Sequence, residues 1–160
     1  DYDDVWADMQ PLSTKIRSYV RNGGRYLGIC QGGYLAGNFS DTSATVGFNM
    51  FPSGILVDDE WLQNGTQRPT DADTTIQIDY TLANGTLLTG QWLFFQDGLT
   101  LLDNSSSGCS KDLEVVGQYT ADQNIAAGLM GFGKGVLGLA GPHIEADASF
   151  CESSKPFLIS

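Results

Sequence analysis

Six residues, Gly28-Ile29-Cys30-Gln31-Gly32-Gly33, stand between an apolar run and a segment that can open a helix, and they restrict this chain more than any other feature. Arg25 to Cys30 has the length and apolar character of a strand, and Gly32-Gly33-Tyr34-Leu35-Ala36-Gly37 can start a helix directly behind it. A strand that turns so sharply into a helix belongs to α/β folds. Upstream, Leu12, Ile16, Tyr19 and Val20 repeat at helical spacing after Pro11, and Gly23-Gly24 supplies a stop. The spacing predicts an amphipathic helix of about ten residues ahead of the strand.

The middle of the chain changes period. Ile55-Leu56-Val57, Thr75 to Tyr80, Gly85 to Thr89 and Trp92 to Phe95 are short β-prone runs between Gly, Asn and Asp turns, which predicts antiparallel hairpins. Leu113 to Tyr119, Ile125 to Phe132 and Gly135 to Ala140 read as three further strands. Together these predict an α/β fold with a parallel core, an antiparallel extension and one layer of sheet between helices. With 160 residues, 41% of them hydrophobic, the chain has apolar material for a single core, so residues 1–160 are read as one domain. A helix feeding a buried strand normally arrives from an earlier parallel strand, and the residues before Pro11 are too acidic to be one. The domain is therefore expected to be incomplete at its N-terminus, with an upstream segment of the same precursor as partner.

A net charge of -11 sets the surface against nucleic acid and anionic lipid, and neither is expected as a partner. No apolar run approaches the length of roughly 20 residues that spans a bilayer. Asn-X-Ser/Thr occurs at Asn38, Asn64, Asn84 and Asn104, where composition alone predicts about one such site. That excess points to a secreted glycoprotein. Cys109 and Cys151 lie in polar loop sequence and are the expected disulfide pair, which leaves Cys30 free. Asp58-Asp59-Glu60-Trp61 reads as a solvated turn, with the lining of a pocket mouth as the alternative.

Two constellations carry chemistry. At Cys30 the spacing suits a nucleophile on a tight turn, where small residues at Gly28 and Gly32 are expected because a Cβ at either would collide. The helix behind it would favour thiolate, and the Gln31 amide can point at a developing oxyanion. A buried strand cysteine beside a Gly-rich turn is the alternative. The second constellation is Gly141-Pro142-His143-Ile144-Glu145 after an apolar strand. In extended chain Glu145 can approach the ring of His143 and fix its tautomer, leaving the other nitrogen to serve as a base. Cys30, His143 and acidic neighbours could also ligate a metal, but neither a metal nor a cofactor is expected.

Gly23 to Tyr34 and Gly133 to Glu145, taken together, resemble class I glutamine amidotransferase-like domains, most closely the branch found as the N-terminal domain of biotin-protein ligases and in secreted fungal proteins. Phe94-Phe95-Gln96-Asp97-Gly98 is similar to an aromatic-then-Gly segment of that branch. The resemblance implies a three-layer flavodoxin-like sandwich with a mostly parallel sheet. It also implies Cys30 as nucleophile, His143 as base and then acid, and Glu145 as its orienting partner. Two departures stand out: Gln31 replaces a small or apolar residue, and the upstream strand and Gly-Gly loop of the family do not occur before Pro11. The motifs of a biotin ligase catalytic domain are missing, so biotin ligation is not expected. The expected activity is thiol-dependent hydrolysis of a small carboxamide or acyl substrate, with a non-catalytic secreted binding or structural protein as the alternative.

Overall fold

The computed structural model describes residues 2–37, 47–104 and 112–146. Two helices come first, α1 (Tyr2–Met9) and α2 (Ser13–Arg21), joined by a 3-10 turn at Gln10–Leu12 that contains Pro11. The α2 stop is built as its sequence suggests: Gly23 N–H donates to Val20 O at 2.9 Å and Gly24 N–H to Tyr19 O at 3.0 Å. Gly23 sits at φ +113, which a residue with a Cβ adopts only under strain. Strand β1 (Arg25–Ile29) and the short helix α3 (Gln31–Ala36) follow.

The rest of the described chain is sheet: β2 (Ile55–Asp59), β3 (Thr74–Thr81), β4 (Leu87–Phe95), β5 (Leu99–Asp103), β6 (Leu113–Tyr119), β7 (Ile125–Phe132) and β8 (Gly135–Ala140), with a 3-10 turn at Glu60–Leu62. The two runs expected at Gly85 to Thr89 and Trp92 to Phe95 form the single strand β4, and β5 was not foreseen. Eight strands make one sheet in the order β1-β8-β7-β6-β3-β4, while β5 pairs with both β2 and the start of β7.

This arrangement overturns the expected flavodoxin-like sandwich with a mostly parallel sheet. Among the described residues only β1 and β8 run parallel, and every other strand pair is antiparallel. The physical reason lies in the connections. A parallel pair needs a crossover of a dozen or more residues, usually a helix, and the described chain from β2 to β8 has no α-helix. Strands β1 and β8 are joined by the whole intervening chain, so their parallel pairing needs no single crossover helix. The expected sandwich of helices on both faces is also absent among the described residues. On the face turned from the helices, Leu27 is 65% exposed, Val136 43% and Leu129 38%. The result is a curled mixed sheet with helices against one face.

Two clusters fill the interior. The larger joins Trp6 and Val20 of the first helices, Tyr34 to Ala36 of α3, and Ile55, Val57, Leu99, Leu101, Met130, Leu137 and Leu139 of the sheet. The smaller, under β3, β4, β6 and β7, consists of Ile76, Ile78, Phe95, Tyr119 and Ala126. Its one hydroxyl is satisfied, because Tyr119 donates to Leu99 O at 2.6 Å.

Candidate functional site

The ladder between β1 and β8 runs from Arg25↔Val136 to Ile29↔Ala140, and both strands end at the same rim of the sheet. Cys30 N–H donates to Ala140 O at 2.8 Å, extending the pairing by one bond. There the chain reverses. Cys30 takes φ 48 and ψ -115, a conformation that costs a non-glycine residue on the order of 1–3 kcal/mol, and α3 begins at the next residue. Gly33 and Tyr34 return their N–H groups to Cys30 O at 2.8 and 3.3 Å, so the turn is closed from both sides.

The glycines divide differently from the sequence reading. A Cβ on Gly28 would stand 2.5 Å from Gly32 O and 2.8 Å from Gly33 N, a backbone collision. A Cβ on Gly32 would meet only the Tyr26 hydroxyl, at 3.8 Å, which is ordinary contact. The second position without room is Gly33, against Leu99. Gly32 contributes its carbonyl instead, accepting from Tyr26 at 2.6 Å.

The Cys30 thiol faces Gln96 O at 3.3 Å and Asp97 O at 3.8 Å, and the Gln31 amide also bonds to the sulfur. It lines a cavity of about 560 Å³ together with Tyr2, Gln31, Tyr34, Asp59, Asp71, Gln96 and Asp97. Burial pushes the thiol up to about 11; the Gln31 bond pulls it down by less, and the Asp97 and Glu145 charges push it up further. The expectation of a thiol favouring thiolate is thus reversed. Helix α3 has six residues, and its N-terminus does not outweigh desolvation beside two carboxylates.

His143 and Glu145 are carried on the segment leaving β8, and neither is among the residues that line the Cys30 cavity. His143 N–H donates to Phe94 O at 2.9 Å, in an isolated bridge to the end of β4, and its ring lies 5.4 Å from the Phe94 ring. Phe94 and Gln96, two residues apart, therefore hold the histidine backbone and face the thiol. His143 Nδ1 lies 2.7 Å from Glu145 Oε1. With the proton on Nδ1 given to that carboxylate, Nε2 keeps a lone pair, and it is buried with no hydrogen-bond partner. Desolvation raises Glu145, but the bond to His143, its own backbone amide and the imidazole charge together hold it below its ordinary value.

The acidic wall follows the alternative reading at Asp59 and not the favoured one. Asp59, expected in a solvated turn, lines the cavity and accepts from the buried Tyr34 hydroxyl at 2.7 Å. Glu60 beside it is fully buried. Burial raises both Asp59 and Asp97; Tyr34 partly offsets this at Asp59, where the Asp97 charge adds to it, and the Asp71 charge adds to it at Asp97. The β-prone spelling of Ile55-Leu56-Val57 was the available signal, since alternation carried two residues further brings Asp59 to the sheet rim. Among the described residues no group of three or more His, Cys, Asp or Glu is placed to hold a metal. No helix among the described residues is long and apolar enough to cross a membrane. Asn64, Asn84 and Asn104 are exposed, while Asn38, Cys109 and Cys151 lie outside the described residues.

The sequence matches the family described as biotin-protein ligase, N terminal, over residues 6–50, the stretch that carries α2, β1, the Cys30 turn and α3. No curated protein matches the chain. Solved structures similar to it include a β-galactosidase from Bacillus circulans sp. alkalophilus, with 18% identity and a TM-score of 0.47 over 88% of this chain. A cold-adapted β-galactosidase from Rahnella sp. R3 gives 14% and 0.46 over 86%. The E323A catalytic mutant of a GH42 β-galactosidase from G. stearothermophilus gives 14% and 0.44 over 91%. The chain spans about a fifth of the length of these proteins, from 19% to 20%.

Proposed function

We propose that this chain is a thiol-dependent amidohydrolase of the glutamine amidotransferase-like type, acting on a small carboxamide or related acyl compound. The observation that carries the reading is Cys30, held in a strained turn at the wall of a cavity. His143 Nε2 takes the thiol proton as sulfur bonds to the acyl carbon, and the Gln31 amide faces the oxyanion that forms. Collapse breaks the carbon–nitrogen bond, and His143 returns its proton to the departing amine. Water, deprotonated by His143, then hydrolyses the thioester and restores the thiol. Glu145 orients the ring and stabilises the imidazolium between these steps. Because the resting thiol holds its proton, the transfer to His143 accompanies attack instead of preceding it. The carboxylates Asp59, Asp71 and Asp97 disfavour an anionic acyl group.

The same raised thiol favours a second reading, a non-catalytic secreted binding protein on this scaffold. One experiment separates them: exposure to p-nitrophenyl acetate, with intact mass to locate acetyl on Cys30. Hydrolysis with a transient Cys30 thioester, lost in Cys30→Ala and slowed at least a hundredfold in His143→Ala, is the result expected of the enzyme. Native protein acetylated no faster than His143→Ala would leave only the binding reading. In both readings the protein is secreted and glycosylated, supported by the exposed Asn-Gly turns at Asn64 and Asn84. Strand β1 pairs only with β8 among the described residues.

A further inference from the structure

Behind the acidic wall lies a carboxyl that the proposed chemistry does not use. Glu60 is 0% exposed and opens the 3-10 turn after β2. Its backbone N–H donates to Gly98 O at 3.1 Å, so it ties the segment carrying Asp59 to the segment carrying Asp97. Its side chain is hydrogen-bonded to Asp122, in the turn between β6 and β7. Asn124 Nδ2 lies between the two acids, 2.8 Å from Asp122 Oδ2 and 3.5 Å from Glu60 Oε2. The turns themselves are in contact, since a Cβ on Gly65 would stand 3.3 Å from Asp122 Cβ.

Ionised carboxylates have acceptors only, so two of them in hydrogen-bond contact out of water need a proton between them. The groups facing Glu60 are Asp122, Thr66 and Asn124, with the buried Tyr119 phenol also within reach of its charge; none of these is cationic. Glu60 Oε1 is buried and receives no hydrogen bond. A proton on the Glu60 carboxyl, donated to Asp122, supplies the hydrogen bond that two carboxylates cannot make with each other.

We propose that Glu60 and Asp122 share a proton in the folded protein, and that this proton latches the Glu60 to Thr66 segment, with one wall of the Cys30 cavity, onto the turn between β6 and β7. Burial, and then the bond and charge of Asp122, raise Glu60 to about 8, offset in part by Thr66 and Asn124. The folded state thus keeps a proton that the unfolded chain releases above its ordinary value of 4.5. The latch contributes fully below that pH, weakens as pH rises, and is lost as pH passes about 8. In the interval, one bound proton changes the folding equilibrium constant about tenfold per pH unit.

The latch does not depend on catalysis, and its test reads stability alone. Urea unfolding at steps from pH 5.5 to 7.5 is compared between the wild type and Glu60→Gln, whose amide donates to Asp122 with no proton to lose. The expected result is a ratio of folding constants, wild type over variant, that falls about tenfold per pH unit. Parallel curves would overturn the proposal. Should Glu60→Gln fail to fold, carbon-13 NMR of the side-chain carboxyls decides the matter: a Glu signal that titrates well above the ordinary carboxylate range in the wild type and moves to lower pH in Asp122→Asn is expected, and a wild-type spectrum with every Glu midpoint in the ordinary range, or a raised midpoint unmoved by Asp122→Asn, counts against the latch. A pH slope abolished by added calcium would show a cation between the acids and also overturn it.

Discussion

Replacing Gly28 by Ala tests the architecture of the Cys30 turn most directly. The new methyl would lie 2.5 Å from Gly32 O, 2.7 Å from Gly32 C and 2.8 Å from Gly33 N. These are backbone atoms of the first turn of α3 and cannot rotate away, so relief requires α3 to move off β1. Overpacking a site of this kind costs typically 1–3 kcal/mol, and the rigid obstacle sets the expectation at about 3 kcal/mol. Gly32→Ala is the matched control. Its methyl has ordinary contact at 3.8 Å, and Ala inside a helix is favoured over Gly by about 1 kcal/mol. The two variants, two alanines four residues apart, should therefore differ by about 4 kcal/mol. Urea unfolding followed by tryptophan fluorescence reads the difference. Equal stability of the two, or a less stable Gly32→Ala, would refute the account of which glycine the turn requires.

Cys30→Gly should be more stable than Cys30→Ala by about 1–2 kcal/mol, because only glycine adopts φ 48 and ψ -115 without strain; equal unfolding midpoints would remove strain from the description of the turn. Iodoacetamide should label native Cys30 slowly at neutral pH, with a rate still rising at pH 10, since burial, Asp97 and Glu145 hold the thiol at about 11; Asp97→Asn should move the profile to lower pH, and a plateau below pH 8.5 would contradict this electrostatic picture.

Local structure was legible where side-chain spacing decides it. Pro11, the apolar stripe of α2 and Gly23-Gly24 bound one helix, and β1, β6, β7 and β8 lie close to their apolar runs. Strand direction was not legible from those runs, because parallel and antiparallel strands can be spelled alike; the information was in the short turns joining β3 to β4, β6 to β7 and β7 to β8, which have no room for crossover helices. Gly90, at φ +60, was read as a break and instead sits within β4. The relation of His143 to Glu145 followed from alternation along one segment. Asp59, Asp97 and Glu60 could not be found that way, since their meeting depends on β2 pairing with β5 and on the turns that close around Gly98.

The five residue pairs between β1 and β8 have a consequence for persistence in time. The thiol and the imidazole are carried just beyond the ends of these two strands, and β1 has a neighbour on one flank only among the described residues. Strands held from one side open more readily than strands held from both, and their amides exchange with solvent at a lower free-energy cost. A single fraying event that peels β1 from β8 would move the Cys30 turn away from the segment that carries His143 without disturbing the interior beneath β3, β4 and β6. The lifetime of this rim of the sheet is then set by local opening of the ladder and not by the stability of the whole protein.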